Sequence, residues 1–292
     1  MKSDFFSRQN TPVSPLPNPG EGGPVYDPGS AENNEAVIPL PNPGEGGPVY
    51  NGNTNGGGGL ITILPSVNFP CFFCGNGSNS SFAKVRFLNA AYNYNPFQIY
   101  INNRLVVNRL GFASVSGYGR ISDGFQTITV TGQNGYVYIQ KTLPFRSGEN
   151  STVAIIPTSG GLDLLQISDS PCRSNGYSSC IRMSNLANLS GPLDLILNDG
   201  RVVFGDVRFK ETTSFRRVSP NGYQFHIAET SFKPMPRYMD IDLDVSNGYM
   251  PSYNPLVSFF VNVRRDSMYT IYVLNWGPSA DTIQTLVVED RL

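Results

Sequence analysis

The residues best suited to chemistry in this 292-residue chain are few and far apart. Of its four cysteines, Cys71 and Cys74 form a C-x-x-C, and Cys172 and Cys180 make a looser second pair. A C-x-x-C supplies half of a tetrahedral zinc site and a second pair would complete it, so a four-cysteine zinc knuckle is one reading. Disulfides, within each pair or between the pairs, are another, and closure across the 172–180 loop is the easiest geometry. Reduced thiols are the third. A thioredoxin-like role is disfavoured, because the C-x-x-C does not sit at a strand-to-helix turn.

His226 is the single histidine and lies in YQFHIAE, on the strand face opposite Phe225 and Ile227. With one histidine a multi-histidine metal centre would need a second chain, and a lone strand histidine is more often hydrogen-bonded or exposed than a general base, which argues against an imidazole-based triad. No serine or cysteine stands in a nucleophile elbow. Asp240, Asp242 and Asp244 alternate with Ile241, Leu243 and Val245, which places three carboxylates on one face of a strand. Calcium takes several carboxylate oxygens, but the glycine turn and distal glutamate of a calcium loop are missing, and a solvated acidic face is the competing reading. The expectation is therefore no catalytic residue and no obligate cofactor, with zinc or calcium as the metals to test. Tyr92 and Tyr94 fall in the loop after the first strand, and Tyr249 and Tyr253 in a later insertion; tyrosines there stack on a glycan, make protein contacts or anchor their own loops.

The elements that must position these residues divide the chain sharply. Residues 1–60 are rich in Pro, Gly, Asn and Glu and contain too little apolar surface to offset the entropy of ordering, so a disordered arm is expected. Within it PLPNPGEGGPVY occurs twice, at residues 15–26 and 39–50. Four prolines per copy favour extended polyproline structure, broken by the Gly-Glu-Gly-Gly turn. The repeat is either a solvated spacer or a bivalent docking motif whose apolar anchors are Val25, Tyr26, Val49 and Tyr50. Residues 61–81 read as a cysteine-containing linker.

Charge excludes one class of partner. The formal net charge is −1; residues 1–60 hold two basic and six acidic side chains, −4, leaving +3 for the rest. So small a surplus, with no Lys/Arg run, argues against nucleic-acid binding. No apolar run reaches transmembrane length, and the N-terminus lacks a signal-peptide core.

From residue 82 onward the pattern is strand-like. Ala83/Val85/Phe87, Phe97/Ile99/Ile101 and Leu193/Leu195/Leu197 alternate, and Asn134-Gly135, Asp199-Gly200 and Asn247-Gly248 are hairpin signals. A long-range repeat overlays VRFLNAAYNYNPFQIYINN on IRMSNLANLSGPLDLILND, pairing Arg86 with Arg182, Asn89 with Asn185 and Pro96 with Pro192. Further on it pairs Arg120 with Arg217, Gly124 with Gly222 and Gln126 with Gln224, and sets Phe215 where Tyr118 stands. Two copies of one β domain explain this. The fold class expected is all-β: two tandem immunoglobulin-like β-sandwich domains, residues 82–173 and 174–292, the second with an insertion near 231–254.

The paired openings VRFLNAA and IRMSNLA, with the segment GYGRISDG, resemble the bacterial domain-of-unknown-function family 4397. The resemblance implies a β-sandwich of envelope-associated or exported proteins without an established activity. The Pro/Gly arm followed by PCFFCGNG resembles the layout of spore and cell-surface proteins of Gram-positive spore formers. The expected function is thus a non-catalytic structural or adhesive protein of a spore surface or cell envelope, with other coat proteins or further copies as partners; a glycan-binding module is the alternative. A cytoplasmic location is the competing reading of a chain without a recognisable signal peptide.

Overall fold

The structure, a computed structural model, describes residues 60–63, 81–170, 172, 178–230 and 254–291. These belong to one compact unit spanning Asn42–Leu292. It is built of strands, and among the described residues no helix is long and apolar enough to cross a membrane. In chain order the strands of the first half are β1 (Leu60–Ile63), β2 (Phe82–Asn89), β3 (Phe97–Ile101), β4 (Arg104–Leu110), β5 (Ser114–Val115), β6 (Gly119–Ser122), β7 (Gly124–Thr131), β8 (Val137–Phe145), β9 (Asn150–Thr158) and β10 (Gly161–Ser168). Those of the second half are β11 (Ser179–Asn185), β12 (Leu193–Leu197), β13 (Val202–Val207), β14 (Arg216–Val218), β15 (Gly222–Glu229), β16 (Val257–Asn262), β17 (Ser267–Asn275) and β18 (Ile283–Arg291).

Alternation along each strand decides which layer it joins. Val85 and Phe87 of β2 point into a core shared with Phe97, Ile99, Ile128 and Val153, so a sheet ordered β10-β9-β2-β5 (with β6 also on β2) faces one ordered β4-β3-β7-β8. In the second half Ile181, Leu193, Phe225 and Ile271 do the same, packing β1-β18-β17-β11-β14 on β13-β12-β15-β16. The opposite face of β2 and β11 is also covered: β11 is buried at every position, the mark of a strand in an inner layer. Leu88, Ala154 and Ile156 from the first half meet Leu186, Tyr272 and Leu286 from the second in a third apolar layer. The molecule is therefore four sheets deep, with the two inner sheets back to back.

Turn chemistry agrees with the sequence at two hairpins. Gly135 between β7 and β8 has φ 79°, and Gly200 between β12 and β13 has φ 86°, the left-handed region that costs glycine nothing. Asn247-Gly248 lies outside the described residues.

At the pair Asn89 and Asn185 the two halves make the same bonds. Asn89 donates to the Leu110 carbonyl and accepts from the Ala91 amide; Asn185 donates to the Val207 carbonyl and accepts from the Ala187 amide. Two pairings from the sequence, Gly124 with Gly222 and Gln126 with Gln224, are a residue out. Ile99 opposes Val130 and Leu195 opposes Ile227, so Gln126 corresponds to Tyr223 and not to Gln224. A one-residue slip exchanges the faces of a strand, and accordingly Gln126 is buried while Gln224 is exposed. The other difference is β1, which occupies the join between the expected arm and linker and pairs in parallel with β18.

Because Asn89 is fully buried, Asn89→Ala strands the carbonyl of Leu110 and the amide of Ala91. Loss of about 1–3 kcal/mol is expected, measured as a lowered urea midpoint with an unchanged slope.

Candidate functional site

The chemically distinctive site lies where the inner sheets meet. Arg86 on β2 and Arg182 on β11 project from the faces turned toward the other half, and each reaches across to a carboxylate there. Arg86 makes a two-pronged bond to Asp290, at 2.7 and 2.9 Å. Arg182 bonds Asp169, the residue after β10, and donates to the Ser168 carbonyl at 2.6 Å. Registers opposite Thr152 and Thr270 make Asp169 the counterpart of Asp290. The exchange is thus reciprocal, each half lending an arginine and receiving one.

The supporting groups repeat as well. Arg86 Nε donates to Thr152 at 2.8 Å, and Arg182 Nε to Thr270 at 3.0 Å. The Arg86 guanidinium lies 4.5 Å above the Tyr118 ring, and that of Arg182 lies 4.5 Å above Phe215, a cation–π arrangement on the fourth side of each fork. The two sides are not identical. The Tyr118 hydroxyl donates to Asp169 at 2.7 Å, joined there by the Thr152 hydroxyl, whereas Phe215 has no hydroxyl to give Asp290. Asp169 is 3% exposed and Asp290 15%, so the better-solvated carboxylate is the one with fewer donors.

Electrostatics follow from this packing. Burial opposes the charge on Arg86, but Asp169 and Asp290 outweigh it and hold its pKa well above the ordinary value. Burial keeps the Tyr118 phenol protonated far above its usual range; Arg86 pulls the other way, and the two carboxylates reinforce burial. Tyr272, fully buried beside the same cluster, is raised chiefly by burial. A second bridge lies at the surface. Asp163 on β10 accepts from Lys141 of β8 at 2.8 Å and from Lys210 of the second half at 3.0 Å. Burial raises its pKa, and hydrogen bonds from the two lysines and the Leu164 amide outweigh that, leaving it at about 2.

The residues singled out from sequence are dispersed. Cys172 and Cys180 are joined to each other as a disulfide, closing the connector between the halves, so their sulfurs are not offered to a metal. Tyr94 packs edge-on against Tyr138 and tilted on Phe97, with its phenol pKa raised by burial and by Tyr138; Tyr92 is half-buried in the same loop. His226 lies on the outer face of its sheet, with Nδ1 2.7 Å from Ser258 Oγ and Nε2 3.4 Å from Asn198, and burial lowers its pKa. Val25, Tyr26, Val49, Tyr50, Cys71, Cys74, Asp240, Asp242, Asp244, Tyr249 and Tyr253 lie outside the described residues. Among the described residues no three His, Cys, Asp or Glu side chains gather as a metal site.

Sequence reasoning missed two sets of residues. Arg86 and Arg182 were paired by the repeat, but their partners were not, although an arginine inside an otherwise apolar strand opening of both copies was a usable signal. The exposed aromatics Phe125, Tyr136, Phe260 and Trp276, each more than half exposed, had none. Phe125 and Phe260 project from the outer faces of the two outer sheets, and Tyr136 extends the Tyr94–Tyr138 row at 5.0 Å.

Residues 83–196 match the model of a domain of unknown function, DUF4397. That span covers the first sandwich and continues through the opening strands of the second, taking in Arg86, Asp169 and Arg182. Curated protein sequences give no match. Among solved structures, the Bacillus anthracis TIE protein is 9% identical over 73% of this chain, with a TM-score of 0.18, and the chain spans about a third of that protein's length, 34%. A protein of Parabacteroides distasonis ATCC 8503, named as a candidate cell adhesion protein, is 7% identical over 73% of this chain and 100% of its own, with a TM-score of 0.21.

Two outcomes are expected. Arg86→Met leaves Asp290 buried without its partner and lowers stability by about 3–5 kcal/mol in urea unfolding, and adding Asp290→Leu restores most of that loss. A pKa depressed in the folded state contributes stability above the unfolded value that disappears as pH falls through the folded one. For Asp163 that window runs from about pH 4, the unfolded carboxylate value, to about 2. The urea midpoint of wild type should therefore fall further between pH 5 and 2.5 than that of Asp163→Asn.

Proposed function

We propose that this protein is a non-catalytic structural or adhesive component of a bacterial surface, a spore coat or cell envelope, that associates with coat proteins or with further copies of itself. The observation that carries this reading is the reciprocal Arg86–Asp290 and Arg182–Asp169 exchange. It joins the two sandwiches through buried charges, and Phe125 and Phe260 stand exposed on the outer faces. Buried charges of this kind serve docking specificity more than net stability. Exposed aromatics on rigid sheets are the anchors that protein–protein contacts use.

A second reading is favoured by the aromatic row. Tyr94, Tyr138 and half-exposed Tyr136 stand edge to face beside one another, a surface that suits a sugar ring. On this reading the protein is a glycan-binding module, with Tyr92, Tyr249 and Tyr253 as further contacts and calcium at Asp240, Asp242 and Asp244.

Fractionation tests the first reading: the protein is expected in the insoluble surface fraction of spores or cells, and recovery only from the cytosol of growing cells counts against it. A glycan array separates the second. Saturable binding that falls at least tenfold in Tyr136→Ala supports the module, and no saturable binding removes it.

A further inference from the structure

Strand β1 lies at the edge of one inner sheet, pairing in parallel with β18 so that Leu60, Ile61, Thr62 and Ile63 oppose Leu286, Val287, Val288 and Glu289. In the other inner sheet the counterpart of β18 is β10: Ile167 faces Thr152 as Val288 faces Thr270. Residues 165–168 therefore correspond to residues 286–289, the four that β1 covers. Beyond 165–168 no strand follows among the described residues. A groove of about 300 Å3 runs there instead, with residues 165–168 as one wall and Arg182, Lys210 and residues 212–214 of the second half as the other.

Backbone groups in this groove are set for one more strand. The Asp169 amide bonds Asn150, so in β10 the residues 163, 165 and 167 turn their backbone groups to β9, and 164, 166 and 168 turn theirs outward. The Leu164 amide is taken by the Asp163 carboxylate and its carbonyl by Lys141, and the Ser168 carbonyl is taken by Arg182. Among the described residues no hydrogen bond takes the Gln166 amide and carbonyl or the Ser168 amide. Capping by Lys141 and Asp163 blunts one end of the edge, as sheet edges commonly require, and leaves the 166–168 stretch open.

We infer that the β10 groove is an acceptor for the Leu60–Ile63 segment of a second copy of this chain, bound in parallel with the register that β1 keeps on β18. The inference rests on the self-associating reading above and names its site. Each molecule has two equivalent acceptor edges and one donor strand. A strand passed to a neighbour makes a donor-to-acceptor contact that builds a reciprocal pair, a ring or an open filament according to the rotation between copies. The exchange replaces one parallel pairing by another, so copy density decides it. A strand tethered in its own chain competes at the millimolar effective concentrations of short linkers. Dilute molecules keep β1 on β18, and a dense array passes it on.

The test uses the full chain and a synthetic peptide, GGLITILPS, which is residues 58–66. The peptide is expected to bind one-to-one and saturably, and to slow amide hydrogen exchange at Gln166 and Ser168 at least tenfold. A peptide with proline in place of Ile61 is expected to bind at least tenfold more weakly, as is the normal peptide to a folded Gln166→Pro protein, which lacks one outward amide. No saturable binding overturns the inference. So does protection confined to 284–289, which reports displacement of β1 from its own edge and is read on the wild-type protein whether or not Gln166→Pro folds. Either result leaves the surface reading standing, since fractionation tests that independently.

Discussion

Two arginines that each leave their own sandwich to find a carboxylate fix the arrangement of everything else. Arg86 and Asp290 are 204 residues apart in sequence, and both Arg86 and Asp169 are removed from water. An unpaired charge in that position is too costly to tolerate, so the inner sheets have one relative placement that satisfies all four groups. The apolar layer around them, with Leu88, Ala154 and Leu286, is non-directional and would accept a shift of a few ångströms. The guanidinium forks would not, because a two-pronged bond defines an angle as well as a distance. Hydrophobic burial holds the halves together, and the ion pairs decide how.

This division explains which features were legible in the sequence. The face of β2 carrying Ala83, Val85 and Phe87 announced a sandwich core by simple alternation. The face carrying Lys84 and Arg86 carries no such signal, since a charged residue in a strand is ordinarily exposed. Only the repeat, by setting Arg86 over Arg182, marked it as unusual, and nothing local pointed to Asp169 or Asp290, which sit just past or at the end of their strands. The hairpins at Gly135 and Gly200 were legible because a two-residue turn is a local rule. The relation of Gln126 to Gln224 was misjudged because two similar residues one place apart look like a match, while the register is set by distant partners on β3 and β12.

Strand β1 was hidden for a related reason. Leu-Ile-Thr-Ile follows a run of glycines and precedes a proline, and four residues carry too short a period to identify. Its status as a strand depends on the edge of β18, more than 220 positions further along. The candidate site residues of the sequence reading were chosen one by one for their chemistry. The structure instead brings together residues that no single-residue criterion selects: ordinary arginines and aspartates made exceptional by burial.

The reciprocal exchange also bears on how the chain finds its own partner. A first half complementary to a second half does not distinguish the second half of its own molecule from that of another, and a cell making many copies would tangle them. The connector between β10 and β11 answers this, because it is short and is drawn tighter by the disulfide between Cys172 and Cys180. The correct second half is thereby always the nearest one. The tyrosine that stands on one side and the phenylalanine on the other add a further safeguard: two first halves brought together would offer two hydroxyls and two second halves none.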